Sequence, residues 1–388
     1  MTTSKSTPKH VMIVAGETSG DALGADLMAA LKLQHADVVV TGVGGPKMQA
    51  SGLASLFAMQ EIALMGLKEI LPKLPKLFKL VDATVAHALA SQPDVMVLID
   101  SPEFNHRVAK RVKKQRPDLP IICYVAPQVW AWRPGRAKKM RHYFDAVMAF
   151  LPFEPDVFEA SGGPPCHFVG HPMVDRMQQL HPLPDFRKAH KLKKNDVLLS
   201  VLPGSRFSEI KVLAPVFGAV IDRLAREIPN LKLALPVLPH TRALVEEKTA
   251  DWAVTPILIE DEAEKMAAFG ASRAALSSCG TAMLELGLAG LPTLGAYNMG
   301  WFGSMVMRVM RVPSTILTNL ILDKPVMLEF LQERCNAKEI TPALRDLLLD
   351  DAVNEKYRQA LSELLPALNY QGQPPAQRAA AITLKYAS

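Results

Sequence analysis

Short apolar runs alternate with stretches of helical periodicity along most of the chain, and this alternation occurs twice. The pattern is typical of βαβ units around a parallel sheet, because helices cover both faces of such a sheet. Residues 181–195 separate the two series; they are rich in proline and lysine and lack an apolar period. We therefore predict an α/β fold with two doubly wound domains, at 1–185 and 196–345. For helices at 346–388, the sequence leaves docking on the first domain open.

The predicted strands are 11–15, 37–43, 95–100, 120–126, 146–150 and 167–169 in the first series, and 197–203, 231–236, 255–259, 273–278 and 292–297 in the second. Open α/β sheets bind ligands beyond the carboxyl ends of their strands. We therefore expect both domains to turn the loops at these ends toward a shared cleft.

Composition narrows the class of protein further. The 388 residues suffice for two cores, and 49% hydrophobic with 21% charged residues indicates a folded chain. A net charge of +6 favours anionic partners: phosphates, acidic lipid surfaces or nucleic acid. The four cysteines form no CxxC pair or metal-binding cluster, which argues against a disulfide framework or zinc site. The first apolar run is too short for a signal peptide and the longest apolar stretch, 282–307, is interrupted, so we expect a cytoplasmic location and no membrane span.

Two carboxylates follow strands in the first half. Glu17 lies in the loop Gly16–Asp21, where small residues and a helix N-terminus favour an anion, but the spacing is not GxGxxG and a nicotinamide cofactor is disfavoured. Asp100 follows the next fully apolar strand and suits a general base. The alternatives are that Asp100 caps the following helix and that Ser19 and Asp21 are ordinary caps.

Residues 127–139 combine two tryptophans with four basic residues. Aromatic faces beside Arg and Lys suit sugar rings and phosphate, and also single-stranded nucleic acid. The alternative is a loop whose tryptophans fill the core while its cations remain solvated.

Two segments in the second half, 202–209 and 277–285, each run from a strand through a turn of small residues into a helix. Such turns present free N–H groups, and Arg206 adds a cation, so a diphosphate fits between the two helix ends. Glu285, one turn into the second of these helices, could accept hydrogen bonds from the two hydroxyls of a ribose. The alternatives are a plain turn with a solvated Arg206, and a Glu285 that only interacts with the helix dipole.

Residues 65–81 carry an apolar stripe flanked by Lys68, Lys73, Lys76 and Lys79. This pattern predicts a segment lying in a membrane interface, with acyl chains against the stripe and anionic headgroups against the lysines. The alternative is a core helix with snorkelling lysines.

Ten segments, taken in chain order, resemble the lipid-A-disaccharide synthase family. They are VAGETSGD at 14–21, GVGGPKMQASG at 42–52, MGLKEIL at 65–71, IDSPEFN at 99–105, YVAPQVWAWRPGRAKK at 124–139, FLPFE at 150–154, FVGHPMVD at 168–175, LPGSRFSEI at 202–210, CGTAMLE at 279–285, and NL with EFLQ at 319–332. The resemblance implies a GT-B glycosyltransferase with two Rossmann-like domains facing a cleft. It also implies inverting transfer of 2,3-diacylglucosamine from UDP to the 6-hydroxyl of 2,3-diacylglucosamine 1-phosphate.

The resemblance also assigns roles. Asp100 is the first candidate for the base and Glu17 the second; Arg206 and the N–H groups of Ser205, Gly280 and Thr281 would hold the diphosphate, and Glu285 the ribose. The remaining predicted UDP-binding residues are Gly204, Glu209 and Ser278. The predicted substrate-binding residues are Ser19, Asn105, Gln128, Arg133, Arg136, Lys139, Asn298, Asn319 and Gln332, of which Arg133, Arg136 and Lys139 would bind the acceptor's 1-phosphate. No metal or other cofactor is expected, and the acylated substrates imply peripheral association with the cytoplasmic leaflet of the inner membrane through Met65 to Val81; a homodimer stays open.

The chain departs from the family pattern at several donor-side positions. This chain has Cys279 where the family usually has Ser, and Asn298 where it often has Arg. It also has Thr318 in place of a common Pro, Asp323 and Lys324 in place of a Gly-Arg pair, and Leu328 in place of a second Pro. Two rivals keep the fold and change the substrate: a UDP-N-acetylglucosamine 2-epimerase and a muramyl-peptide transferase. A nucleic-acid-binding protein is the third, but the basic residues lie in separate loops rather than along one face, so no nucleic-acid partner is expected.

Overall fold

A computed structural model describes residues 8–63, 70–132, 135–298, 300, 312–368 and 372–388, with the side chains of 63, 70–74 and 132 outside the description. The chain forms two compact units. Unit 1 holds the residues up to Pro172 together with the C-terminal segment from Asn369, and unit 2 runs from Met173 to Leu368.

Unit 1 contains a six-stranded parallel sheet with the strand order β2-β1-β3-β4-β5-β6. Its elements are β1 (His10–Ala15), α1 (Thr18–Gln34), β2 (Val39–Val43), α2 (Pro46–Ala50), α3 (Gln60–Ala63), α4 (Ile70–Ser91), β3 (Val95–Ile99), α5 (Pro102–Gln115), β4 (Ile121–Tyr124), α6 (Val129–Trp132), α7 (Gly135–Met140), β5 (Ala146–Ala149), α8 (Glu154–Ala160) and β6 (Cys166–Phe168). The helix α9 (Pro172–Gln179) leads into unit 2.

Unit 2 contains a second six-stranded parallel sheet, with the order β12-β11-β10-β7-β8-β9. Its elements are α10 (Phe186–Ala189), β7 (Val197–Leu202), α11 (Phe207–Glu227), β8 (Leu231–Pro236), α12 (Arg242–Thr249), β9 (Pro256–Ile259), α13 (Glu262–Ala271), β10 (Ala274–Ser278), α14 (Ala282–Leu288), β11 (Thr293–Tyr297), α15 (Leu317–Leu322), β12 (Glu329–Leu331), a 3-10 turn (Gln332–Arg334), α16 (Ala337–Leu349), α17 (Asp351–Leu361) and α18 (Leu364–Leu368). The last helix, α19 (Pro375–Tyr386), belongs to unit 1.

Strand β1 shows why the apolar runs of this chain are continuous rather than alternating. Met12 and Val14 belong to the buried cluster that contains α4 and α5, whereas Val11 and Ile13 belong to the cluster that contains α1 and α19. Successive strand residues point to opposite faces, so a sheet covered on both sides must be apolar at every position. The predicted α/β fold with two doubly wound parallel sheets is confirmed. The three-residue strand β12 was not predicted.

The boundaries of the units differ from those expected. The division falls at Pro172, ahead of the predicted junction at 181–195, and the chain from 346 to 368 belongs to unit 2. Only α19 packs on unit 1, where Ala379 and Ala380 share a buried cluster with Leu31. The amide of Gln34 donates to the carbonyl of Gln377, at 2.7 Å, at the edge of this contact.

The described half of the predicted interfacial segment is part of α4. Leu77, Leu80 and Val81 are buried in the core of unit 1, while Lys76 and Lys79 are exposed. This half therefore matches the alternative of a core helix with solvated lysines; residues 64–69 lie outside the described residues. Among the helices that the structure describes, none is long and apolar enough to cross a membrane.

Asp21 ties the first two loops of unit 1 together. Its carboxylate is 2% exposed and accepts hydrogen bonds from the backbone N–H groups of Gly45, Lys47 and Met48 at 2.8–3.0 Å. Asp21 therefore caps the N-terminus of α2, the following helix, rather than its own.

We predict that Asp21→Ala lowers the free energy of unfolding by about 3 kcal/mol, because it leaves three N–H groups, two of them fully buried, without acceptors. Urea denaturation followed by circular dichroism measures this. The control is Asp37→Ala, at an exposed aspartate that follows α1. It should change the unfolding free energy by less than about 0.5 kcal/mol. An Asp21→Ala protein as stable as this control would contradict the capping role.

Candidate active site

The loops after β1 and β3 leave the sheet side by side. Ala15 pairs with Ile99 in parallel register, so Gly16 and Glu17 emerge next to Asp100 and Ser101. A Cβ atom on Gly16 would overlap the Ser101 hydroxyl. Glycine at this position is what allows the two loops to approach, and the structure thus brings Glu17 and Asp100 to the same edge of the sheet.

The backbone at Asp100 is held in a strained conformation. Asp100 and Ser101 have φ angles of 50° and 44°, and Val125, after the neighbouring strand β4, has a φ of 83°. Positive φ at residues other than glycine costs of order 1–3 kcal/mol each and occurs most often at functional sites. Ser101 rather than Asp100 occupies the N-cap of α5. The interpretation of Asp100 as a helix cap is therefore wrong.

The side chain of Asn105 stabilises the backbone conformation at Asp100. It is 1% exposed, and its side-chain amide donates to the carbonyl oxygens of Ile99 at 3.0 Å and Asp100 at 2.7 Å. The predicted contact of Asn105 with a sugar is not what the structure shows. Asn105 is instead a positioning residue for Asp100.

Both carboxyl groups at this edge bind protons more tightly than exposed carboxyls. Burial raises the pKa of Asp100, and a hydrogen bond from the Ser101 backbone opposes the shift. Partial burial raises the pKa of Glu17, and the negative charge of Asp100 raises it further. A carboxylate whose pKa lies above its usual range is a better proton acceptor, which is what a general base at this edge requires.

The loop after β4 is anchored through a buried carboxyl group. Glu154 is 3% exposed and accepts hydrogen bonds from the indole Nε1 of Trp130 at 3.2 Å and from the Leu151 N–H at 3.1 Å. The Trp130 ring packs edge-on against Phe153, with ring centroids 5.4 Å apart. Trp130 therefore fixes the loop to α8, and Gln128 beside it is exposed. Sequence reasoning missed the role of Glu154.

Of the three cations predicted to bind the acceptor phosphate, Arg136 and Lys139 line one cavity of about 470 Å³ between α5 and α7. Arg133 lies outside the described residues. Ser19 is exposed in the first turn of α1, near Glu17 in sequence.

Unit 2 has a cavity of about 330 Å³ formed by the loops at the carboxyl ends of its strands, as expected for an open α/β sheet. Tyr297, at the end of β11, also lines it. All eight residues predicted to bind UDP line this one cavity: Gly204, Ser205, Arg206, Glu209, Ser278, Gly280, Thr281 and Glu285.

The loop after β7 is closed by an internal ion pair. The carboxylate of Glu209 accepts from the Arg206 guanidinium at 2.8 Å and from the Ser205 N–H at 3.1 Å. Gly204, with a φ of 126°, lies against Glu209 so closely that a Cβ atom would overlap it. The Arg206 side chain is 75% exposed, so its pair with Glu209 is weak and gives way to a stronger anion.

A second ion pair lies deeper in this cavity. Lys265 donates to Glu285 at 2.8 Å and to Glu262 at 2.9 Å, and its side chain is only 15% exposed. Oε2 of Glu285 accepts the hydrogen bond from Lys265, and Oε1 has no hydrogen-bond partner among the described residues. Lys265 was not found from the sequence, although it fixes the carboxylate predicted to receive the ribose.

Asn319 does not face the cavity. Its side-chain amide donates to the Ser314 hydroxyl at 3.1 Å and to the Met327 carbonyl at 2.8 Å, and its oxygen accepts from the Met327 N–H at 2.8 Å. The predicted substrate contact of Asn319 is therefore not supported; the residue organises the loop 314–327. The side-chain oxygen of Asn298 accepts a hydrogen bond from the Gly300 N–H. Gln332, the first residue after β12, is largely buried and has a φ of 52°.

Comparison with known proteins identifies the family. A sequence model described as lipid-A-disaccharide synthetase matches residues 11–381. The lipid-A-disaccharide synthase of Rhodopseudomonas palustris (strain HaA2) is 42% identical over 97% of this chain and 96% of its own length. That of Bradyrhizobium diazoefficiens is 42% identical with the same coverage.

The chain belongs to the lipid-A-disaccharide synthase family. It is therefore a glycosyltransferase, as the ten sequence segments predicted.

Solved structures show the same fold for this member of the synthase family. UDP-GlcNAc 2-epimerase from Neisseria meningitidis, bound to UDP-GlcNAc, superposes with a TM-score of 0.60 at 10% identity, covering 98% of this chain and 99% of that one. The calicheamicin glycosyltransferase CalG4 gives a TM-score of 0.59 at 16% identity, with 98% of both chains covered. These neighbours place the fold in the GT-B class.

Cys279 lies in the loop after β10 and lines the cavity of unit 2. A Cβ atom on Gly295 would lie 2.9 Å from its Sγ. Burial raises the pKa of the Cys279 thiol to about 12, so the thiol stays protonated at physiological pH.

We predict that Glu154→Gln changes the pH dependence of stability. Burial raises the pKa of Glu154 from 4.5 to about 7, so the folded protein retains a proton that the unfolded chain has lost, and stability falls as pH rises through this interval. From about pH 5 to about pH 8, the wild type should therefore lose stability relative to Glu154→Gln, by on the order of 3 kcal/mol. Urea denaturation at both pH values measures the difference; parallel curves would contradict the shift.

We predict that Arg206→Ala weakens UDP binding by tenfold or more, because a charge-assisted bond to a phosphate is lost. Glu209→Gln should bind UDP more tightly than the wild type, since it removes the carboxylate that competes for Arg206. Isothermal titration calorimetry with UDP measures both. Equal affinity of Arg206→Ala and wild type would exclude Arg206 from the diphosphate site.

Proposed function

We propose that the chain transfers 2,3-diacylglucosamine from UDP-2,3-diacylglucosamine to the 6-hydroxyl of 2,3-diacylglucosamine 1-phosphate, forming the β(1→6) disaccharide and releasing UDP. Family membership over nearly the whole length supports the substrates. The observation that carries the chemistry is Asp100: a carboxyl group of raised pKa, held in a strained backbone where β3 ends.

The proposed step is a single in-line displacement. The donor sugar is α-linked and the product is β-linked, so the acceptor oxygen attacks the anomeric carbon from the face opposite UDP. Asp100 accepts the proton of the 6-hydroxyl as the new C–O bond forms and the bond to the diphosphate breaks. Such base assistance contributes about a hundred- to ten-thousandfold in rate. No covalent enzyme intermediate forms.

The leaving group receives positive charge from the protein. Arg206 and the N–H groups of Ser205, Gly280 and Thr281 line the cavity of unit 2, where they neutralise charge developing on the diphosphate. Glu209 releases Arg206 when the diphosphate enters, and Glu285, oriented by Lys265, accepts from the ribose hydroxyls. The proposal requires no metal ion, and chelation with EDTA should leave the rate unchanged.

Both substrates carry acyl chains, so the proposal includes peripheral association with the cytoplasmic leaflet of the inner membrane. The exposed Lys79 on α4 supports it, together with Phe78, which is 39% exposed, whereas Lys76 is paired with Glu61 at 3.4 Å. Anionic headgroups attract such lysines at about 1 kcal/mol each.

The direct test is incubation with both acylated substrates in detergent, followed by mass detection of a tetra-acylated disaccharide phosphate. UDP-N-acetylglucosamine serves as the rival substrate, because a 2-epimerase or a transferase acting on muramyl peptides would consume an unacylated UDP-sugar. Turnover of UDP-N-acetylglucosamine, without product from the acylated pair, would overturn the proposal.

We predict that Asp100→Asn lowers kcat by about a hundred- to ten-thousandfold while folding normally, since asparagine tolerates the positive φ that Asp100 adopts. The wild-type rate should fall as pH decreases through the raised pKa of Asp100, above the range in which exposed aspartates titrate. Asp100→Ala should lose as much activity. A kcat within a few-fold of wild type in Asp100→Asn would remove Asp100 from the role of base.

A further inference from the structure

Helices α5 and α7 line the open cavity that contains Arg136 and Lys139. Its volume is about 470 Å³, and α5 contributes Arg107 and Lys110 to its lining. Four cations from two helices thus line one groove. Sequence reasoning assigned the two on α7 to a phosphate and gave no role to the two on α5.

These cations are largely uncompensated. Among the described residues, no carboxylate lies within salt-bridge distance of Lys110, Arg136 or Lys139. Arg107 pairs only with Glu103, one turn earlier on the same helix, at 3.0 Å in an exposed position. Such a pair contributes little to stability, so a doubly charged ligand can recruit Arg107 at small cost.

The floor of the cavity is uncharged and fixed. His106 is buried, and its Nδ1 shares a 3.0 Å hydrogen bond with the hydroxyl of Tyr143. Burial, together with the charges of Arg136, Lys110 and Arg107, lowers the pKa of His106 to about 3. His106 is therefore neutral at physiological pH and adds no charge to the cavity.

The lining of the cavity starts two residues after the proposed base in the chain. Pro102 and Glu103, which line it, follow directly after Asp100 and Ser101. At 1.5 Å per residue, Arg107 lies about 8 Å further along the α5 axis than Pro102. A pyranose ring with its hydroxymethyl group at Asp100 spans such an interval and directs a substituent on the other side of the ring into the cavity.

We infer that this cavity binds the phosphate monoester of the acceptor sugar, with Arg107 and Lys110 from α5 completing a four-cation site with Arg136 and Lys139. The inference rests on the proposed function and deepens it: the site makes the phosphate a requirement for a good acceptor. Bidentate arginines and lysine point charges are the groups that recognise phosphate monoesters.

A neighbouring cavity of about 480 Å³ extends the basic surface through Lys113 and Lys114. Lys113 is already paired with Asp145, at 2.9 Å. Phospholipid headgroups are the other source of phosphate for such a surface. We favour the acceptor because the four cations line a single groove whose first residues, Pro102 and Glu103, follow Asp100 and Ser101 in the chain. Binding of phospholipid headgroups is the alternative that the test distinguishes.

The test compares acceptors with and without the 1-phosphate, in neutral detergent, for wild type, Lys110→Gln and Arg136→Gln. In the wild type, removal of the phosphate should raise the acceptor KM by tenfold or more. In each variant, the KM for the phosphorylated acceptor should rise by about tenfold, while the KM for the dephosphorylated acceptor stays unchanged. Arg111→Gln is the matched control, because Arg111 lies on the same helix but pairs with Asp82 outside the cavity.

Discrimination between the two acceptors that persists in both variants would overturn the inference. So would a loss of activity that appears only on vesicles containing anionic phospholipid and not in neutral detergent, since the cations would then serve headgroups. Arg111→Gln should keep the wild-type discrimination; if it loses discrimination equally, general charge rather than the cavity is responsible.

A second readout separates this inference from the proposed function. Glucosamine 1-phosphate, which has no acyl chains, is titrated into the intact protein and followed by calorimetry, with inorganic phosphate as a comparison. Binding that Lys110→Gln and Arg136→Gln both weaken supports the cavity even if no disaccharide forms. Disaccharide synthesis without any such weakening leaves the proposed function standing and removes the cavity from it.

Discussion

The parallel pairing of β1 with β3 is the constraint on which the candidate site depends. It places Ala15 beside Ile99, so the loops that carry Glu17 and Asp100 must emerge at the same edge of one sheet. The pairing is secured by strands buried on both faces, whose apolar contacts offset the unfavourable φ at Asp100. The same rule applies in unit 2, where every loop that lines the nucleotide cavity follows a strand. In both units the strand order therefore decides which side chains lie close together at the edge of the sheet.

The two units carry complementary electrostatics. Unit 1 places carboxyl groups at its sheet edge and raises their pKa by burial, which prepares them to accept a proton. Unit 2 presents backbone N–H groups and Arg206, which suit a diphosphate. Within this cavity Glu209 pairs with Arg206, and Glu285 pairs with Lys265. A diphosphate bound as proposed would replace Glu209 as the partner of Arg206.

Much of this architecture could be predicted from the sequence because its signals are local. A strand, a turn of small residues and a helix are contiguous, so two short segments sufficed to predict eight residues that line one cavity of unit 2. Their binding of UDP stays a prediction. The roles of the asparagines were predicted less well. The side chains of Asn105 and Asn319 donate to nearby backbone carbonyls rather than facing a ligand, and no pattern in the sequence indicates these hydrogen bonds. Lys265 and Glu154 were missed because their partners lie 20 and 24 residues away. The three-residue strand β12 was missed as well.

The electrostatics of unit 1 also distinguish the two candidate bases. The negative charge of Asp100 raises the pKa of Glu17, so ionisation of Asp100 favours the protonated form of Glu17. Asp100 is the more buried of the two, and its backbone is fixed, because its carbonyl accepts from the Asn105 amide and its N–H donates to the Tyr124 carbonyl; Glu17 is exposed at the start of α1. A general base must hold its oxygen within hydrogen-bond reach of the substrate proton, which requires a rigid carboxylate. These observations support Asp100 over Glu17 for the proposed role of general base.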